Sequence, residues 1–208
     1  MCDEQTIKDT EAFLKKQGLS RREFNRNTAA GVAAMMLPAV ANALEVVEQD
    51  VLVETPDGEA DCYFVHPSEG THAAVIIWPD IVGIRPAFRS MGKRLAESGY
   101  SVLVVNPYYR DEVSPVVELG ASFSDDAVRA KVRGLAGNLS AETNVADAKA
   151  FISWLDAQDS VDTSKKMGTL GYCMGGPMVF RTAAAVPDRV GAAGSFHGGG
   201  LATESEDS

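Results

Sequence analysis

Apolar and polar positions along the chain repeat with two different periods. Val51–Thr55 alternates and runs into Pro56-Asp57-Gly58, a turn signature, and Ala60–Val65 returns as a second strand, so a hairpin is predicted. Ala73–Trp78 is continuously apolar, as expected of a strand covered on both faces. After a loop, Pro86 suits the first turn of a helix, with Phe88, Met91 and Leu95 as its buried stripe and Gly99 as its stop. Ser101–Val105 predicts a further buried strand. Residues 111–140 carry no clear period; they are expected to form a lid-like insertion with a short helix near Asp126–Arg133. Ser140 can cap the next helix, whose stripe is Val145, Ala148, Ile152 and Leu155. Lys166–Gly171 predicts a strand, Gly176–Ala185 a helix halted before Pro187, and Val190–Phe196 a last strand. Trp78, Phe151 and Trp154 are expected in the core. Strands alternating with helices in this way predict an α/β fold, a doubly wound and mostly parallel sheet with sites at the carboxyl ends of its strands.

Composition narrows the class. The 208 residues are 45% hydrophobic and 23% charged, values of a soluble globular chain, and no apolar run is long enough to serve as a stable membrane anchor. The net charge of -10 argues against a nucleic-acid partner. That charge is uneven: residues 1–43 carry +1 and residues 44–208 carry -11. The front segment is therefore a different object. Ser20-Arg21-Arg22-Glu23-Phe24 resembles a twin-arginine export signal, a weakly apolar stretch spans Thr28–Val40, and Ala41-Asn42-Ala43 is a small-x-small cleavage pattern. Residues 1–43 are read as a signal peptide for the twin-arginine machinery, leaving residues 44–208 as a periplasmic or secreted domain.

Gly171-Tyr172-Cys173-Met174-Gly175-Gly176 stands where a predicted strand meets a predicted helix, which is the context of a G-x-nucleophile-x-G elbow. Such a turn lifts the nucleophile above the sheet and aims the next backbone N–H, here that of Met174, at the same space. The helix N-terminus favours a thiolate there. The spacing of Cys2, Cys62 and Cys173 matches no zinc site, and no metal or cofactor is called for.

With these motifs in view, most of residues 50–202 resembles the dienelactone hydrolase family, through WPDIVGIRPAFRSMGKRLAESGY, SVLVVNPYYR and GYCMGG. The resemblance implies an α/β-hydrolase fold lacking its last strands, a cysteine nucleophile completed by an aspartate and a histidine, and a small-molecule ester or lactone substrate. It implies that Cys173 is the nucleophile. Asp80 stands where the family has a glutamate that helps activate the thiol. The resemblance also implies that Ile81 supplies the second oxyanion N–H beside that of Met174 and that Arg110 binds a substrate carboxylate. Asp80, Arg110 and Cys173 each follow a different predicted strand, which puts all three at one edge of the sheet.

The remaining triad members have no obvious candidates. After Cys173 the acids are Asp188, Glu204, Glu206 and Asp207, and His197 is the sole histidine. The expectation is a truncated form or a fragment. The run Phe196-His197-Gly198-Gly199-Gly200 is read as a glycine-rich loop at the rim of the site, His66 and His72 as solvated, and Cys62 as packed or half-exposed. A catalytically inactive remnant or binding protein of the same fold is the alternative to an enzyme. A thiol redox protein is weaker, because no C-x-x-C pair exists.

Overall fold

The structure, a computed structural model, describes residues 43–202 and 204. Residues 1–42, which hold all but the last residue of the segment read as an export signal and include Cys2, lie outside the described residues, as do Glu206 and Asp207. Strands β1 (Val46–Thr55) and β2 (Gly58–Pro67) form an antiparallel hairpin, Thr55 opposite Gly58 and Val46 opposite Pro67. Both run longer than alternation predicts. β1 is an edge strand that buries only Val53, so pairing with β2 rather than an apolar face defines most of its length. Strand β3 (Ala73–Trp78) follows, then helix α1 (Pro86–Glu97), β4 (Tyr100–Val105), α2 (Asp126–Gly137), α3 (Ala141–Asp156), β5 (Met167–Tyr172), α4 (Gly175–Ala185) and β6 (Val190–Phe196).

The sheet order is β1-β2-β4-β3-β5-β6, with β4, β3, β5 and β6 parallel and β2 antiparallel to β4. The chain enters the parallel part at β3, adds β4 on one side and then crosses to β5 on the other. That reversal opens a crevice beyond the carboxyl ends of β3 and β5.

Period-two alternation divides the core between the two faces. Val75 and Ile77 of β3 join Val102 and Val104 of β4 against Phe88 and Ala96 of α1, with Met91 and Leu95 packed alongside. Ala74, Ile76 and Trp78 point the other way, to Phe151, Ile152 and Leu155 of α3 and Met178 and Val179 of α4. Helices therefore cover both faces, as a doubly wound fold requires. Trp78 and Phe151 are fully buried, whereas Trp154 is half-buried, edge-on to Phe64.

Within residues 111–140, α2 extends one turn beyond the predicted short helix. Asp125 caps it by accepting from the N–H groups of Ala127 and Val128, and Val132 is its buried residue. Ser140 caps α3 with a reciprocal partner that the sequence reading did not name: Ser140 Oγ accepts from Thr143 N at 3.1 Å, and Thr143 Oγ1 accepts from Ser140 N at 3.0 Å. The two early histidines are not solvated as expected. His72 is half-buried, with ring nitrogens 3.2 Å from Gly99 O and 2.9 Å from Glu69 O, and His66 Nδ1 lies 2.7 Å from Pro67 O. Backbone carbonyls converge at that end of the sheet and take up both rings. Cys62 is buried beside Val105, and desolvation pushes its thiol up, so it stays protonated and inert.

Ser140→Ala should cost about 1 kcal/mol by loss of this cap. Urea unfolding followed by circular dichroism is the measurement, and an unchanged midpoint would show that the cap contributes nothing.

Candidate active site

β5 ends at Tyr172 and α4 begins at Gly175. Cys173, between them, has φ +52°, a left-handed conformation that non-glycine residues rarely hold and that costs about 1–3 kcal/mol. Its amide donates to Phe196 O at 3.0 Å, extending the β5–β6 ladder by one rung, and its carbonyl accepts from Gly176 N at 3.0 Å, opening the helix. The residue is therefore held on both sides while its backbone bends. The bend depends on close backbone approach. A Cβ on Gly175 would lie against Trp78 O and 2.7 Å from Pro79 O, and a Cβ on Gly171 would meet Gly175 O. The elbow thus packs directly on the end of β3, where Asp80 begins its loop. Cys173 is a free, half-buried thiol at the N-terminus of α4, where the helix macrodipole favours negative charge.

Asp80 combines a turn and an ion pair. Its Oδ1 accepts from Val82 N at 3.0 Å, and its two oxygens accept from Arg85 Nη1 and Nη2, each at 2.6 Å. Arg85 in turn lies over the Phe88 ring at 4.8 Å. Phe88 packs edge-on to Tyr172, and Tyr172 stacks on Phe196 with centroids 4.8 Å apart. An aromatic row thus connects the partner of Asp80 to the residue before Cys173. Tyr108 lies beneath both loops: its hydroxyl donates to Ile81 O at 2.8 Å and touches Met174 Sδ at 3.1 Å. Burial, then the nearby Asp80 and Cys173, raise the Tyr108 phenol and keep it neutral.

Arg110 leaves the same end of the sheet, but its guanidinium is taken up elsewhere. It donates to Asp147 Oδ1 and Oδ2 at 2.6 and 2.9 Å and to Asp57 Oδ2 at 2.6 and 2.9 Å. Tyr109 OH adds a bond to Asp147 at 2.8 Å. Burial opposes the Arg110 charge, but the two carboxylates more than offset it and hold the group protonated. The structure brings Asp80, Ile81, Cys173 and Met174 together around Tyr108, and turns Arg110 toward α3 and the β1–β2 turn.

His197 follows β6 beside the elbow, exposed and with φ +43°. Asp188 sits at the opposite end of the sheet, where its carbonyl accepts from Lys166 Nζ ahead of β5. Glu204 is exposed. Sequence reasoning passed over Tyr108 and Arg85. Both lie within runs that carry the family resemblance, SVLVVNPYYR and WPDIVGIRPAFRSMGKRLAESGY, but nothing local in those runs marks either side chain for the site.

The Dienelactone hydrolase family model matches residues 60–208. A carboxymethylenebutenolidase of Rhodococcus opacus is 30% identical over 129 residues, 61% of this chain and 45% of the relative. One from Pseudomonas sp. strain P51 is 27% identical over 118 residues, 57% of this chain and 47% of the relative. The chain thus spans less than half the length of these two relatives. Among solved structures, a dienelactone hydrolase-like promiscuous phosphotriesterase from metagenomic libraries superposes with TM-score 0.61 at 22% identity, over 78% of this chain and 63% of that one. At that identity the likeness speaks for the fold alone.

Asp147→Ala would leave Arg110 without its buried partner and is expected to cost about 3 kcal/mol in chemical unfolding. A loss below about 1 kcal/mol would mean that the pair behaves as a solvated one.

Proposed function

The chain belongs to the dienelactone hydrolase family, and on that premise we propose that it acts on a carboxylic ester or lactone with Cys173 as nucleophile. The left-handed turn at Cys173 between β5 and α4 is the observation that carries this reading. In a G-x-nucleophile-x-G elbow that strained turn is what lifts the nucleophile clear of the sheet. In the proposed reaction Asp80 assists deprotonation of the thiol. The thiolate attacks the carbonyl carbon, and the N–H groups of Ile81 and Met174 hold the oxyanion. The C–O bond then breaks, the alcohol leaves with a proton, and water cleaves the thioester. The two-bond Arg85 pair fixes the orientation of the Asp80 side chain on its loop. For Arg110 to bind a substrate carboxylate it would have to release Asp57, the more exposed of its two partners. The substrate is accordingly a small ester or lactone, and the signal-like residues 1–43 extend the proposal to twin-arginine export and a periplasmic or secreted location.

The test uses p-nitrophenyl acetate with the full 208-residue chain and its Cys173→Ala variant. The expected result is a stoichiometric burst of p-nitrophenolate and one acetyl group on Cys173 by peptide mass spectrometry, both absent from the variant. Equal release from the two proteins would reject the cysteine as nucleophile.

A further inference from the structure

We propose that Tyr108 is a positioning residue that sets the two oxyanion amides at their working separation. The inference rests on the reading above. Because a peptide unit is planar and trans, its N–H points opposite to its C=O. Ile81 N–H belongs to the peptide whose carbonyl, Asp80 O, accepts from Gly83 N at 2.9 Å. The next peptide is gripped at both ends, its Ile81 O by Tyr108 Oη at 2.8 Å and its Val82 N–H by Asp80 Oδ1 at 3.0 Å. Both planes that flank the Ile81 Cα are therefore held, and with them the direction of Ile81 N–H. On the elbow side, Met174 N–H belongs to the peptide whose carbonyl, Cys173 O, accepts from Gly176 N. The hydroxyl of Tyr108 is also in contact with Met174 Sδ, so a single phenol meets both loops. Its one proton goes to the carbonyl, the better acceptor, and the thioether packs against the oxygen.

Such a device works only if the phenol is itself fixed. Tyr108 is fully buried. Its amide donates to Asn106 Oδ1 at 2.9 Å, and its carbonyl accepts from Asp111 N and Glu112 N at 2.8 and 2.9 Å. Asn106 is anchored to Asp61 Oδ1 at 2.7 Å, which ties this turn to the β1–β2 hairpin. The Tyr108 ring underlies Gly83, within 3.7 Å of where a Cβ would stand. The hydroxyl therefore transmits the position of a rigid turn after β4 to the loops after β3 and β5.

Tyr108→Phe keeps the ring and removes the grip. Two rates on Cys173 separate positioning from bulk stability. Acetylation by p-nitrophenyl acetate passes through an oxyanion, whereas alkylation by iodoacetamide needs the thiolate but no oxyanion. The expected result is acetylation slowed roughly 100-fold, with the alkylation rate and Tm close to wild type. Equal acetylation in the two proteins would overturn the proposal. So would parallel loss of acetylation, alkylation and Tm, which would make Tyr108 a purely structural residue. If the wild-type chain alkylates at Cys173 but never acetylates there, the hydrolase reading itself fails and this inference with it.

Discussion

The β5–α4 elbow packs backbone against backbone on the end of β3. Gly175 has no room for a side chain because Trp78 and Pro79 present their carbonyls to it. That contact brings the start of the Asp80 loop to the thiol, and it requires the chain to turn through a left-handed residue at Cys173. The bend is affordable because the surroundings over-determine it. The ladder bond to Phe196 fixes one side of Cys173 and the first turn of α4 fixes the other. Everything proposed about reactivity follows from this fit: the thiol at a helix N-terminus, the Met174 amide beside it, and Ile81 one residue past Asp80.

Two aspartates show how similar groups acquire different work from their surroundings. Asp147 is almost fully buried, and its oxygens are filled by Arg110 and Tyr109. It joins α3 to the turn after β4 and, through the second carboxylate on Arg110, to the hairpin. Removing either charge would strand the other, so the cluster acts as a strut. Asp80 also pairs with an arginine through two bonds, but it lies on a loop at the crevice and keeps a fifth of its side chain exposed. Its partner Arg85 rests on Phe88, the start of the aromatic row that reaches Tyr172 and Phe196. Packed rings thus lie beside the elbow at Tyr172, and the Tyr108 hydroxyl meets the loops on either side at Ile81 O and Met174 Sδ.

Burial pattern and glycine placement made much of the fold legible in the chain alone. The six apolar residues of Ala73–Trp78 form the doubly covered strand their pattern predicts, G-Y-C-M-G-G forms the tight turn predicted between a strand and a helix, and Val190–Phe196 likewise forms its predicted strand. Local periodicity therefore determined the element order, the α/β class and the place of Cys173, because each is set by which side of an element meets water. It could not determine partners. Arg110 and Asp147 are 37 residues apart, Tyr108 and Met174 are 66 apart, and nothing local in either stretch encodes the other. The length of β1, the embrace of His72 by carbonyls and the direction of the Arg110 guanidinium were all decided by which segments the sheet order brings side by side. Side-chain charge and hydrogen-bonding capacity are properties of single residues, but their satisfaction is a property of the packed tertiary structure.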